Sequence, residues 1–330
     1  MSRRDMDRAE LITTALIAVL VVAVPFTGSR LLLYYLTLTA LFAIVVISLN
    51  LLLGLAGQVS FAQTTFMAIG GYGSALLTIR LLWSPWLAIL ASAALACAAA
   101  LLIGRPLLRL RGHYLSMATF ALALGTYSFA VAATGLTNGG IGISGVPALA
   151  IGSLEVAGKR DFYWLSWFVC ASVLGGYVLI ANSHIGRALR ALSAGNDIAA
   201  SLGIDVRNYK LLAFVIAAGV ASVAGSLYVE FTSFVGPDLY DLNTMLSLFF
   251  MLFVGGRGST VGPIVGAAVV VILPQMMSGL ERYQNLIYLL ILLVLLLVKP
   301  SGIFGRSTGS LPLSVILPAP LRNALRGRGK

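Results

Sequence analysis

The chain has 330 residues, of which 59% are hydrophobic and only 10% are charged. Its mean hydropathy of +0.97 is far above that of water-soluble domains of this length. The composition therefore excludes a soluble globular protein and indicates one that crosses a membrane several times. The net charge of +11 is spread over the loops without an aromatic-interleaved patch, so we expect no nucleic-acid partner.

Ten apolar runs along the chain are candidate membrane helices. They cover about residues 11–26, 31–53, 61–79, 86–104, 115–134, 164–182, 211–232, 242–254, 263–278 and 284–298. Within lipid, a helix is the structure that satisfies its own backbone hydrogen bonds. The sequence therefore predicts an all-α integral membrane protein of about ten transmembrane helices, with residues 1–330 forming a single domain.

The basic residues predict the orientation. Ten crossings with both termini inside leave five of the 22 Lys and Arg residues outside. They are Arg30, Arg80, Lys159, Arg160 and Arg282. The positive-inside rule therefore places residues 1–10 and the basic tail, residues 301–330, in the cytoplasm, where the tail can touch anionic membrane lipid. We interpret the first run as a retained helix, because Pro25, Phe26 and Thr27 make a poor signal-peptide cleavage site.

A polar segment, residues 183–210, separates the sixth and seventh runs. Arg, Lys and Asp at the centre of a lipid-facing helix cost about 2.5–3.5 kcal/mol each on insertion scales, so this segment must lie outside the bilayer. Its mixture of charged residues with Ala and Leu is typical of a short amphipathic helix, for which Gly203 is a plausible stop. Such a helix either docks in a groove of a partner protein or lies on the inner membrane surface.

Two glycine-rich interruptions occupy similar places in the two halves of the chain, at residues 54–60 and 255–263. The run before the second one, residues 242–254, would span only about 20 Å as a helix, whereas the hydrocarbon core is roughly 30 Å thick. Non-helical backbone at that depth must be buried in protein or wetted by water. With five runs in each half, a repeat would have to be inverted, as in alternating-access transporters. Tight turns or close helix contacts remain an alternative explanation.

Polar residues within or beside the apolar runs are candidates for a solute path, because each of them needs a partner or water there. The candidates are Asn50, Gly57, Gln58, Ser60 and Gln63, then Asn138 and Ser144, and finally Gly255, Gly258 and Ser259. Capping and turn formation would explain any one of them equally well. Glu230 lies near the outer end of a run, where it can reach the interface, and no acidic residue lies mid-run, which disfavours a proton-coupled carrier.

Motifs for catalysis and metal binding are missing from the sequence. It contains no G-x-x-x-x-G-K-[ST] phosphate loop and no H-E-x-x-H pair. Cys97 and Cys170 both fall inside apolar runs without metal-ligand spacing. The sequence therefore predicts no catalytic residues, no metal site and no cofactor, and the protein is not expected to be an enzyme.

Six segments together resemble one known family, the LivM-type permeases of branched-chain amino acid ABC importers. The segments are NLLLGLAGQVS (residues 50–60), RLRGHY (109–114), TNGGIGISGVP (137–147), the polar segment with its flanks (186–214), GGRGSTVGP (255–263) and KPSGIFG (299–305). They occur in order from about residue 31 to 305, and jointly they are highly specific.

The resemblance implies a permease of the cell inner (plasma) membrane that works with a sister permease, two cytoplasmic ATPase subunits and an external solute-binding protein. ATP would then be hydrolysed by another chain. In that family the polar segment docks on the ATPase. Here this role maps onto Gly186, Arg187, Ala188, Arg190, Asp197, Ala199, Ala200 and Gly203.

The solute and the transport class stay open at this point. The resemblance implies leucine, isoleucine, valine or a similar small amino acid. Gln63 stands where many relatives carry His or another polar residue, and related permeases also import urea, amides or aromatic acids. A stand-alone channel or ion-coupled carrier, and a membrane scaffold that transports nothing, are the alternatives of other classes.

Overall fold

The computed structural model describes residues 29–110, 112–147 and 159–276 of the chain. Shorter described pieces are residues 19, 21–23, 25, 149–151, 154–155, 290 and 302–304. The predicted runs 11–26 and 284–298 and the two terminal segments lie almost wholly outside the described residues. What the sequence predicts for those segments therefore stays a prediction.

Helices dominate the described part of the chain. In order they are α1 (Arg30–Asn50), α2 (Gln63–Arg80), α3 (Pro85–Leu107), α4 (His113–Ala132), α5 (Thr134–Thr137), α6 (Lys159–Asn182), α7 (His184–Ala194), α8 (Asn196–Ser201), α9 (Val206–Thr232), α10 (Leu242–Gly255) and α11 (Gly262–Met276). A π-helix covers Leu51–Leu55, and 3₁₀ helices cover Gly139–Ile141 and Pro237–Tyr240. The short strands are β1 (Ile143–Ser144), β2 (Ala150–Ile151), β3 (Leu154–Glu155) and β4 (Phe234–Val235).

Each of the eight predicted runs within the described part contains a helix. Five helices of that part are long and apolar enough to cross a membrane: α1 with its π-helical end, α3, α4, α6 and α9. The helices α10 and α11 are apolar but shorter. The protein is therefore a mostly helical, multi-pass membrane protein, as the sequence predicts, while the count of ten crossings and the inverted repeat stay predictions.

Side-chain caps explain where several of these helices begin. An N-terminal cap accepts a hydrogen bond from a main-chain N–H of the first turn, which would otherwise lack a partner. Ser29, Ser183, Asp205 and Asp241 do this for α1, α7, α9 and α10. The carboxylate of Asp241 accepts from the N–H of Thr244 at 2.8 Å. Because Asp205 caps α9, this helix begins at Val206, inside the segment predicted to be a loop.

The helix α1 lies at the centre of the bundle. In its most apolar stretch 83% of the residues are buried within the protein, against 22% in α4 and in α6. It packs against α6, α9, α10 and α11, and α9 packs in turn against α2 and α3. The helices α4 and α6 therefore lie at the periphery, with most of their apolar surface uncovered by the described residues.

Glycine allows the closest helix contacts of the bundle. A Cβ at Gly70 of α2 would collide with the main chain of Ser222 in α9, and one at Gly225 of α9 would collide with the main chain of Met67. The hydroxyl of Ser226 donates to the carbonyl of Gly70 at 3.0 Å. Small residues let membrane helices approach until their backbones touch, which replaces the hydrophobic driving force that lipid cannot supply.

The bundle has two distinct ends. At one end, called the α7 end, α7 and α8 connect the last residue of α6 to the first residue of α9. At the opposite end, β1 pairs antiparallel with β4, so that Ile143 lies across from Val235. The loop that follows α4 is thereby fastened to the segment that follows α9.

Candidate functional site

The two glycine-rich interruptions meet in the structure, and Asn50 joins them. Its side-chain Nδ2 donates to the carbonyl of Ser259 at 2.8 Å and to the hydroxyl of Tyr177 at 3.0 Å. Its Oδ1 accepts from the N–H of Gly258 at 2.7 Å. Asn50 is completely buried, so its bonds to Tyr177 and Ser259 form away from solvent, and the bond to Gly258 is partly buried. We call this contact between residues 50–60 and 255–262 the glycine junction.

Close backbone packing requires several glycines of the junction. A Cβ at Gly54 would collide with the Oδ1 of Asn50 and would lie 2.7 Å from the main-chain nitrogen of Gly258. Gly258 itself has φ +76°, a left-handed conformation that favours glycine. A Cβ at Gly255 would collide with the main chain of Gly262, whose N–H donates to the hydroxyl of Ser259 at 2.9 Å. The junction is therefore a contact of main chain against main chain.

The first interruption carries buried polar side chains that are incompletely paired. The side-chain Oε1 and Nε2 of Gln58 and the hydroxyl of Thr64 are buried and have no hydrogen-bond partner among the described residues. Ser60 is buried and accepts only from the N–H of Ala62, at 3.4 Å. The Oε1 of Gln63 accepts from the hydroxyl of Ser48 at 3.3 Å. Buried polar groups normally find a partner, so these atoms need water, a solute or a different arrangement of the helices.

One face of α4 borders this segment. The N–H of Phe61 donates to the hydroxyl of Thr119 at 3.1 Å, and the hydroxyl of Ser116 donates to the carbonyl of Val59 at 3.3 Å. Two turns further along, the hydroxyl of Thr126 donates to that of Thr65, in the first turn of α2, at 3.0 Å. A polar stripe of a peripheral helix therefore holds the non-helical segment in place.

The predicted loop folds as two short helices at the α7 end. Helix α7 has an apolar face that packs on the bundle, with Ala188, Leu189 and Leu192 buried. Gly195 separates α7 from α8, whose Ala199 is also buried. Gly203 adopts φ +74° immediately after α8, which agrees with its predicted role as a helix stop.

The candidate coupling residues divide between the two faces of this loop. Gly186 and Ala188 face the bundle, as does Ala199; a Cβ at Gly186 would collide with the carbonyls of Ile180 and Ala181. The residues exposed to solvent are Arg187, Arg190, Asp197, Ala200 and Gly203. They share the exposed face with two large apolar side chains, Ile198 at 54% and Leu202 at 68% exposure.

Two of the exposed arginines bond to the last carbonyls of α6. Arg190 donates from Nη1 to the carbonyl of Ala181 at 2.8 Å, and Arg187 donates to that of Asn182 at 3.4 Å. The end of a helix carries unpaired carbonyls and a partial negative charge, which cations stabilise. These arginines therefore fix the corner between α6 and α7.

The loop touches the glycine junction directly. Gly57 has φ +65°, and a Cβ there would lie 3.0 Å from both Cα and Cβ of Ser193, at the end of α7. Gly57 follows the π-helix that carries α1 into the junction. A displacement of α7 would therefore press on the segment that contacts Gly258 and Ser259.

Asn138 and Ser144 lie elsewhere, at the opposite end of the bundle. They line a cavity of about 380 Å³ together with Arg80 and residues of the connection after α4. The structure thus brings the other eight candidate path residues together at the junction and its neighbouring segment, and it places these two in a separate cavity at the opposite end of the bundle.

Sequence reasoning missed a polar seam between α2 and α9. Glu230, expected to reach the interface, is only 3% exposed, and neither carboxylate oxygen has a hydrogen-bond partner among the described residues. It lies on the same face of α9 as Ser222 and Ser226, since the three residues follow one another at intervals of four. That spacing was the signal available in the sequence. No group of three or more side chains that could hold a metal ion occurs in the described part.

The comparison with known families decides the identity of the chain. A family profile described as the permease component of the branched-chain amino acid transport system matches residues 31–298. The chain belongs to this family. The match spans the described helices, including the junction, the α7–α8 loop and the cavity at the opposite end, so these features lie within the matched permease region.

Curated relatives of this permease carry related names. This chain is 28% identical to the high-affinity branched-chain amino acid transport system permease protein LivM of Escherichia coli, over 90% of this chain and 76% of that protein. It is 27% identical to the protein LivH of the same description from Salmonella typhimurium, over 82% and 93%. A probable LivM of Methanocaldococcus jannaschii is 22% identical over 67% and 66%. No solved structure gives a significant match to the permease.

Proposed function

We propose that this permease forms the translocation path of an ATP-driven importer of branched-chain amino acids and that its α7–α8 loop receives the motion of a separate cytoplasmic ATPase. The relatives named above are permeases of branched-chain amino acid transport systems. In the same proposal the protein lies in the inner membrane with about ten crossings in an inverted five-plus-five arrangement, and both termini face the cytoplasm with the α7 end.

The observation that carries the coupling role is the contact between Ser193 and Gly57. It joins an exposed loop to the glycine junction without an intervening residue. On the solvent side of the loop, Ile198 and Leu202 form an apolar surface beside charged residues, which is the composition of a docking helix face. A loop that only lay on the membrane surface would have no need of the contact with Gly57.

The translocation role rests on the junction and its unpaired polar atoms. Asn50, Gly258 and Ser259 close the bundle in the conformation described, and Gln58 and Thr64 are polar groups that an opened path would expose to water or solute. A ligand-driven machine needs two states that differ in such contacts. In this proposal, ATPase closure moves α7 and opens the junction.

The partners follow from the same reasoning. Both LivM and LivH of Escherichia coli are named as permeases of the high-affinity system, and this chain matches both, which supports pairing with a sister permease. An external solute-binding protein would deliver the amino acid to the end of the bundle opposite α7. Since the permease has no phosphate loop, ATP hydrolysis would take place in the ATPase subunits.

The test is reconstitution into liposomes with the ATPase, the sister permease and the binding protein encoded with this chain. We expect uptake of radiolabelled leucine that requires ATP together with all four components. Uptake by the permease alone, along a leucine gradient and without ATP, would instead show a channel or carrier. Uptake of urea, an amide or an aromatic acid in place of leucine would correct the solute while leaving the ATP-driven mechanism intact.

A further inference from the structure

The cavity at the end opposite α7 combines one cation with apolar and neutral polar walls. Its apolar wall consists of Leu76 and Ile79 of α2, with Leu136 and Ile143 across from them. The neutral polar groups are those of Thr134, Asn138 and Ser144, and the cation is Arg80, the last residue of α2. A volume of about 380 Å³ lies within the roughly 300–1,000 Å³ of small-molecule sites.

Arg80 is held in place while part of its guanidinium remains available. Its Nη2 donates to the carbonyl of Gly135 at 2.7 Å and to that of Leu136 at 3.4 Å. Within the described residues it forms no ion pair, and its hydrogen bonds go only to these carbonyls. The guanidinium has five N–H donors, so donors on Nε and Nη1 are left for an anion. Charge-assisted hydrogen bonds from such donors to a carboxylate are shorter and stronger than those between neutral groups.

Hydrogen bonds hold the opposite wall of the cavity, which is formed by the connection after α4. The hydroxyl of Thr137 donates to the carbonyls of Ala130 and Ala133 at 2.7 and 2.8 Å, which fastens the loop to the end of α4. The Nδ2 of Asn138 donates to the carbonyl of Gly142 at 2.8 Å, which fixes this amide and leaves its Oδ1 as an acceptor. The pairing of β1 with β4 fastens the far side of the loop. These bonds connect the wall to the end of α4 and to β4.

We propose that this cavity is the site at which the permease receives free amino acid, with Arg80 binding the α-carboxylate and the apolar wall of Leu76, Ile79 and Ile143 binding an aliphatic side chain. The Oδ1 of Asn138 and the hydroxyl of Thr134 are neutral acceptors for the ammonium group. The assignment rests on the proposed function, because that function places this end of the bundle outside the cell.

The experiment uses the assembled transporter in right-side-out membrane vesicles, in a Cys97→Ser, Cys170→Ser background carrying Ser144→Cys. Ser144 is exposed in the cavity, so the new thiol should react with an impermeant maleimide. Bound ligand should slow this labelling about sixfold at a concentration about five times its dissociation constant, because the free fraction is reduced by the factor 1 + [L]/Kd. We expect protection by leucine and by 4-methylpentanoate, which has the carboxylate but no amine. Leucine methyl ester, which lacks the carboxylate, should not protect.

Substitutions at Arg80 then test the contact itself. Arg80→Gln should remove protection, Arg80→Lys should retain a part of it, and Arg30→Gln, at an exposed arginine of the same end, should leave it unchanged. Labelling of Arg80→Gln at the unliganded rate of its parent shows that the cavity keeps its shape. Equal protection by the methyl ester, undiminished protection in Arg80→Gln, or no protection by leucine would each overturn the proposal.

ATP-dependent leucine uptake, measured in the same vesicles, separates this proposal from the proposed function. Uptake without protection means that the transporter functions but that the cavity is not its receiving site. Protection without uptake supports the carboxylate site and shows instead that the proposed ATP-driven import is wrong. Uptake together with protection that depends on Arg80 supports both.

Discussion

Asn50 and Ser259 are 209 positions apart in the chain, yet the side-chain amide of the first donates to the carbonyl of the second at 2.8 Å. The bond joins the two glycine-rich interruptions, one from each half of the permease. In the mechanism proposed above, a change of access strains or breaks this buried bond.

Replacement of Asn50 by Ala should destabilise the junction. It leaves the carbonyl of Ser259 buried without its partner, which costs about 1–3 kcal/mol, and it removes a partly buried bond to the N–H of Gly258. We therefore expect a clearly lower Tm for the detergent-purified protein, measured by size-exclusion chromatography after heating. Asn208→Ala is the matched control, because the side chain of Asn208 bonds to Asp205 on the exposed surface. Equal Tm values for the two variants would contradict a role of Asn50 in holding the junction.

Gly57→Ala should impair transport by disturbing the contact between the loop and the junction. The new Cβ would lie 3.0 Å from Ser193 in a backbone with φ +65°, a conformation that costs non-glycine residues about 1 kcal/mol or more. We expect ATP-dependent uptake to fall while the variant still assembles with the ATPase. Gly125→Ala in α4 is the control, since a Cβ there meets nothing within 4 Å. Uptake at the parental rate in Gly57→Ala would show that this contact does not transmit the motion.

Asp197→Lys tests the charge of the proposed docking surface. Asp197 is exposed in the first turn of α8, so its reversal should change the surface without changing the fold. Like charges brought together across an interface repel, and truncation or reversal of an interface charge weakens association. We therefore expect less ATPase to co-purify with the C-terminally tagged Asp197→Lys variant than with the parent permease in mild detergent. If the same amount is recovered with the variant, Asp197 does not contact the ATPase.

The double variant Ile198→Ser, Leu202→Ser tests the apolar part of the same surface. These side chains are exposed at the α7 end, and burying each of them against a partner would contribute about 1.5–3 kcal/mol. We therefore expect the ATPase to dissociate, whereas the Tm of the isolated permease should stay the same. Leu110→Ser, at an exposed leucine of the α3–α4 connection, is the control. Loss of the ATPase in the control as well would point to general damage rather than to a docking surface.

Arg190 has a structural contact that makes it a poorer test residue than Asp197. The sequence proposes it for ATPase coupling, but in the structure it also donates to the carbonyl of Ala181 and so supports the end of α6. A charge reversal at Arg190 would disturb both roles together, whereas a change at Asp197 alters only the exposed face. The sequence shows which residues are polar, but it does not show which groups of the protein are their hydrogen-bond partners.

Hydropathy was sufficient to locate the long apolar helices of the described part. The runs 31–53 and 211–232 coincide with the cores of α1 and α9, because lipid excludes any apolar segment that fails to satisfy its own backbone. The glycines at 54–60 and 255–263 likewise marked, in the sequence alone, the places where helical structure is interrupted. The polar segment 183–210 was recognisable because charged residues are too costly in the bilayer.

Tertiary packing decided which of those features meet. Hydropathy is the same for a residue that faces lipid and for one that faces another helix, so it could neither place α1 at the centre and α4 at the edge nor bring Asn50 to Ser259. For the same reason Glu230 was expected at an interface and is buried, and Arg80 was counted only as an outer charge although it lines a cavity. These outcomes depend on how the helices lie against one another, which apolar pattern leaves open and contacts between backbones and buried polar groups determine.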